Sequence, residues 1–164
     1  MKQFIAFLFI AVCSFSGIHA QNVLSPRATA QHGNVSVDYG QPSKRGRVVF
    51  GGLEPYGQVW RTGANEATTI TFKKDGTFGG KSVKAGKYTL FTIPREKEWE
   101  VILNSKTDQW GAYEYEKIKS SDVLHVVVPS KQKSQVTEVF TITVTADAMT
   151  LTWDQTEVSV PIKF

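Results

Sequence analysis

An all-β fold is what this sequence predicts: an antiparallel β-sandwich or partly closed barrel of about eight to ten strands. Three observations carry it. Apolar and polar residues alternate with period two over most of the chain beyond residue 33, as in strands that press one face on a core. The alternating runs are rich in Val, Ile, Thr, Tyr, Phe and Trp, residues that fit a pleated surface. Turn chemistry separates the runs at Asp75-Gly76, Gly79-Gly80, Ala85-Gly86, Pro94-Arg95 and Ala146-Asp147-Ala148, and no run carries a helical period.

Taken in order, Val35, Val37 and Tyr39 alternate with polar residues, as do Ile70 and Phe72. Tyr88–Ile93 and Glu98–Leu103 follow as two further strands. Val123–Val128 is a nearly continuous apolar run broken by His125, which predicts a strand buried on both sides. Val136–Thr145, Met149–Trp153 and Val158–Phe164 close the chain. Two stretches interrupt the ladder. Gly40–Gly57 is rich in Gly, Pro and Arg and reads as an irregular excursion; Asn104–Asp122 is the longest interruption, with a short helical turn expected at Tyr115–Lys119. Long loops on a rigid scaffold are where function concentrates.

The chain has 164 residues. Met1-Lys2, the apolar run Phe4–Val12 and the junction Ile18-His19-Ala20-Gln21 have the layout of a secretory signal cut after Ala20. The expected organisation is therefore a signal peptide over 1–20, a flexible mature N-terminus over 21–32 and a single β-sandwich domain over 33–164. The apolar run is too short for a membrane anchor. The one cysteine, Cys13, lies within the leader; Val12 before it is a poor match to a lipoprotein box, so lipid anchoring is not expected. A mature chain without cysteine has no disulfide, thiolate nucleophile or Cys-ligated zinc. The expected location is the periplasm or the extracellular medium. The formal net charge is +4, with the charged residues interspersed, which speaks against a nucleic-acid partner.

Several constellations bear on chemistry. Gly76–Ser82 has glycines and Lys81-Ser82 like a phosphate-binding loop, but Asp75 stands where the first glycine is needed and no helix follows, so two tight turns are expected instead. His32 and His125 are the histidines beyond the leader, and no H-x-H or H-E-x-x-H spacing occurs; no metal site and no cofactor are expected, and His125 reads as a satisfied core or edge histidine. No Gly-x-Ser-x-Gly elbow is present. Lys44-Arg45-Gly46-Arg47 places three cations in one turn; they suit an anion, a solvated basic loop, or a loop fixed by pairing of the arginines to Glu54 or Glu66. The densest stretch is Tyr56–Thr68. Trp60 and Arg61 are adjacent, so one faces the core and the other is free. A turn at Gly63-Ala64-Asn65 brings Glu66 back toward Arg61, either to read a polar ligand or to satisfy buried turn amides. Trp110, Tyr113 and Tyr115 in the long loop form a stacking platform or a cap on the sandwich.

These residues also resemble a family of exported bacterial proteins catalogued as domain of unknown function 2911. The resemblance runs from Ser25-Pro26 to the Val158–Phe164 strand. It rests on Tyr39-Gly40-Gln41-Pro42, Gly46–Leu53, Pro55–Thr68, Ala85–Pro94, Glu98-Trp99 and Trp110–Tyr113. It implies export in bacteria of the Bacteroidota type and supplies no reaction. Gln41 departs from it, since arginine is expected before Pro42. Neither His32 nor His125 falls in the signature.

The functional expectation is an exported, non-enzymatic module that binds a small polar ligand or serves an envelope protein. Arg47, Tyr56, Arg61, Asn65, Glu66 and Trp110 are the candidate binding residues. The alternatives are a hydrolase-like enzyme using Glu66 with Arg61 or Arg47, and a structural partner that pairs an edge strand within an envelope assembly.

Overall fold

Alternation becomes strand wherever one face finds something apolar to cover. The computed structural model describes residues 24–164; the expected signal peptide, Cys13 and residues 21–23 lie outside the described residues. Among the described residues nine strands form: β1 (Arg27–His32), β2 (Val35–Gly40), β3 (Thr69–Phe72), β4 (Gly76–Phe78), β5 (Lys81–Val83), β6 (Gly86–Pro94), β7 (Glu98–Asn104), β8 (Asp122–Val144) and β9 (Ala148–Lys163). One short helix, α1 (Tyr115–Ile118), sits in the long loop where a helical turn was expected. The strands make one antiparallel sheet in the order β1-β2-β3-β6-β7-β8-β9-β4-β5, and the sheet is not closed. The all-β antiparallel class and the strand number are as expected.

The sheet folds over on itself through β8, which is 23 residues long. Its first part, Asp122–Pro129, pairs with β7; the remainder, from Ser130 to Val144, pairs with β9. Register shifts between Gln132 and Thr137 and between Thr137 and Thr141 are bulges, which bend a ribbon. Opposite Thr137 stands Asp154, at a φ of 53°. Thus Val123–Val128 and Val136–Thr145 are one bent strand, and so are Met149–Trp153 and Val158–Phe164. Folding over brings apolar faces together. Tyr39 of β2 meets Phe140 of β8 edge-on at 5.6 Å, and Phe72 of β3 meets Phe78 of β4 at 5.7 Å.

Three expectations change. Arg27–His32, expected to be flexible, is an edge strand in register with β2 from Arg27↔Gly40 to His32↔Val35. Only Ala28 and Ala30 of it pack on the core, and two alanines among polar residues make too faint an alternation to read. Gly76–Ser82 holds one tight turn, not two: Gly79 and Gly80, at φ 60° and 80°, join β4 to β5 as a two-residue hairpin loop. Val123–Val128 is covered on one face only, since Val123 and Val127 are 53% and 58% exposed. Two strands are covered on both faces: β7, where Val101–Asn104 are all buried, and β6, where Thr89–Thr92 are. The outer face of β6 lies under the long loop, with Phe91 and Tyr115 ring centroids 5.1 Å apart.

The irregular connection between β2 and β3 is pinned by two aromatics that it sends into the core. Phe50 lies 4.7 Å from Trp99; Trp60 stacks on Trp153 at 5.8 Å and meets Phe140 at 5.0 Å. Such pairs add about 0.5–1.5 kcal/mol each beyond area burial. Trp60 also exchanges backbone hydrogen bonds with Thr92 of β6, at 2.7 and 3.0 Å. The polar residues beside these anchors are therefore held in fixed places outside the core. Among the described residues no helix is long and apolar enough to cross a membrane.

Candidate functional site

The basic turn after β2 is built rather than loose. The Lys44 ammonium pairs with Asp154 at 2.9 Å, both side chains about four-fifths buried (18% and 20% exposed). Its backbone N–H donates to the Glu138 carbonyl at 2.8 Å, and the Arg45 N–H donates to Glu138 Oε1 at 2.7 Å. Arg47 is tied to its own turn, Nε donating to the Lys44 carbonyl at 2.9 Å and Nη2 to the Ser43 carbonyl at 2.7 Å. With Lys44 spent as an anchor, Arg45 and Arg47 are left to line a cavity.

The second wall comes from Trp60–Thr68. Trp60 goes to the core and Arg61 to the outside, as their adjacency requires. Trp60 Nε1 donates to the Gly63 carbonyl at 3.1 Å, and the Thr68 hydroxyl to the Thr62 carbonyl at 2.8 Å. Thr62, Gly63 and Asn65 have φ of 55°, 155° and 64°, so the turn is tight. A Cβ on Gly40 would stand 2.1 Å from the Ala64 carbonyl oxygen, which is why β2 ends on glycine there. Arg61 Nη1 donates to the Asn65 carbonyl at 3.0 Å. Asn65 Nδ2 in turn donates to the Ser25 carbonyl at 3.0 Å.

Between these walls lies a cavity of about 300 Å³, lined by Arg45, Arg47, Glu54, Arg61 and Asn65 among others. A second cavity of about 180 Å³ shares Glu54 and Arg61 with it and adds Val59, Ala112 and Tyr113. The Arg61 guanidinium lies 4.9 Å from the Tyr113 ring centroid. Gly111, at φ 66°, lets the long loop approach: a Cβ there would be 2.8 Å from Arg61 Cζ. Burial pushes the Glu54 carboxyl up to about 7, against the pull of Arg61 and then Arg47, which act on it through space. The cavity thus holds three guanidinium groups and one carboxyl that changes charge near neutral pH.

The candidates divide. Arg47, Arg61 and Asn65 share the 300 Å³ cavity. Glu66 does not pair with Arg61 as expected; it lies 3.6 Å from Arg27 and is half exposed. Arg27 has no local signature in the sequence, because only two alanines of its strand face the core. Glu66 and Trp110 line a separate cavity with Arg27, Asp38 and Lys87. Tyr56 lines neither; its ring covers Gly51, where a Cβ would stand 2.8 Å from Cε2. Glu54, weighed only as a loop partner, is the carboxyl that faces the arginines. The signal for it is the buried Phe50 four residues earlier, bridged to Glu54.

His125 is satisfied, on the outer face of β8. Nδ1 lies 2.7 Å from Glu100 Oε1 and Nε2 lies 3.1 Å from Asp122 Oδ2. Asp122 also accepts from the Tyr115 hydroxyl at 2.6 Å and from Asn104 Nδ2 at 2.7 Å. Burial and the Asp122 carboxylate push the Tyr115 hydroxyl up, so it stays a donor. With both ring nitrogens engaged, this network ties the long loop to the sheet. No group of three or more His, Cys, Asp or Glu among the described residues could hold a metal.

Residues 24–162 match the family described as Protein of unknown function (DUF2911), and the chain belongs to that family. Searches of curated proteins and of solved structures returned no match.

Proposed function

We propose that this is an exported, non-enzymatic binding module of the bacterial envelope whose ligand is a small anion held in the 300 Å³ cavity. The observation that supports it is the convergence of Arg45, Arg47 and Arg61 on one cavity. Arg47 and Arg61 each spend part of a five-donor guanidinium on backbone carbonyls, which fixes the fork and leaves donors for a ligand. Planar forks of this kind suit carboxylate, phosphate or sulfate.

The test is calorimetric titration with sodium sulfate, which keeps its charge across neutral pH. Sulfate binds, and Arg45→Asn weakens it; asparagine tolerates the positive φ of that position. Failure of sulfate, phosphate and acetate alike to bind overturns the reading.

A second reading has one observation in its favour. A carboxyl that titrates at about 7 beside two arginines has the properties of a general acid or base next to charge-stabilising groups. In that case Glu54, rather than Glu66, carries the proton.

A further inference from the structure

The geometry points to an anionic monosaccharide as the ligand, its charged head on Arg45, Arg47 and Arg61 and its ring in the adjoining cavity against Tyr113. This rests on the anion reading above and adds to it the body of the ligand.

Four features converge. The two cavities share Glu54 and Arg61, so an anion seated on Arg61 lies at the border of a second space that can take its substituent. That space, at about 180 Å³, is smaller than pockets for drug-sized molecules and suits a single ring. Its far wall is Tyr113, 77% exposed, with the Arg61 guanidinium already on one face at 4.9 Å. Most of the Tyr113 side chain is exposed, so a sugar ring held in this cavity beside Arg61 has aromatic carbon for its C–H side to cover without displacing the guanidinium. A Cβ at Gly111 would stand 2.8 Å from Arg61 Cζ, so the loop that carries Tyr113 lies directly against the Arg61 guanidinium.

Glu54 decides between a sugar and a flat aromatic acid. Glu54 lines both cavities, so a ligand that occupies the two lies beside it. A sugar edge offers hydroxyls that donate to the carboxylate or accept from the acid. An aromatic ring offers nothing there and strips water from a carboxyl that is then left unpaired, which is costly. The head group, carboxylate or phosphate, is the shared chemistry that the fork accepts from either source.

The experiment is calorimetric titration of the protein with sulfate, glucuronate, glucose 6-phosphate, glucose and benzoate. At least one anionic sugar binds about tenfold or more tighter than sulfate, glucose alone shows no binding, and benzoate shows no gain over sulfate. Tyr113→Ala removes most of the sugar's advantage over sulfate, while Arg45→Asn weakens sugar and sulfate together. Sulfate binding as tightly as both anionic sugars, benzoate exceeding them, or an unchanged ratio in Tyr113→Ala overturns the sugar and leaves the anion cavity standing. Absence of binding by every anion overturns both.

Discussion

The Tyr39 hydroxyl holds the backbone of Ile142, accepting from its N–H at 3.0 Å and donating to its carbonyl at 3.4 Å. One side chain of β2 thus joins the sheet's first strands to the far part of β8, 103 residues later in the chain. The same oxygen receives Gln41 Nε2 at 3.3 Å, so the residue that precedes Pro42 serves this junction rather than the anion cavity.

Tyr39→Phe keeps the ring on Phe140 and strands the Ile142 N–H in a buried place. The expected cost is about 1–3 kcal/mol, read as a lower urea midpoint with an unchanged slope. Sulfate affinity stays within twofold, because the cavity walls are pinned by Phe50 and Trp60 rather than by Tyr39.

Glu54 makes stability fall as pH rises. Its folded carboxyl is raised from 4.5 to about 7, so the folded state holds the proton more tightly than the unfolded state. The contribution is complete below the unfolded value of 4.5, declines through the window up to about 7, and is gone above it. Glu54→Gln, neutral throughout, lacks this decline. It is expected to exceed the wild type by about 1–2 kcal/mol near pH 8, a figure reduced from 1.36 kcal/mol per unit for partial exposure, and to gain nothing near pH 4. Denaturant unfolding at both pH values gives the comparison; equal gains at both would remove the proton from the explanation.

Asp122 gathers Tyr115, Asn104 and His125 onto one carboxylate. Asp122→Ala leaves the buried Asn104 amide and the Tyr115 hydroxyl without this acceptor, at about 2–4 kcal/mol. Hydrogen exchange should quicken first across residues 104–121, with β2 and β3 changing only as the global midpoint falls.

Glu66→Gln is the contrasting case. The side chain is 54% exposed and its arginine stands 3.6 Å away, so stability moves by no more than about 0.5 kcal/mol. Sulfate binding is unaffected. A large loss of either would return Glu66 to the site.

What the sequence disclosed and what it hid have physical causes. Strand content was legible because alternation reports burial one residue at a time. Trp60 inward and Arg61 outward followed from adjacency alone. The fate of Glu66 was not legible: its partner, Arg27, lies on a strand with only two alanines facing the core, and pairing across strands has no local signature. Glu54 was hidden for a related reason. Glu54 comes to line one cavity with Arg45, Arg47 and Arg61 only once two aromatics have drawn distant stretches of the connection into the same core. The double cover of β6 escaped notice because the covering comes from Tyr115 and Ile118, outside the strands altogether. Bends within β8 and β9 read as chain breaks, since the polar residues Lys131–Gln135 look like a turn whichever way the backbone runs.

Because β8 belongs to both leaves of the folded sheet, neither leaf has a complete set of neighbours without it. A truncation ending near Ser134 would keep β7's partner and abandon Phe140 and Ile142, opening the aromatic cluster to water. The two leaves are consequently expected to melt together, as one cooperative event, and the fold offers no natural seam at which evolution or an engineer could divide it.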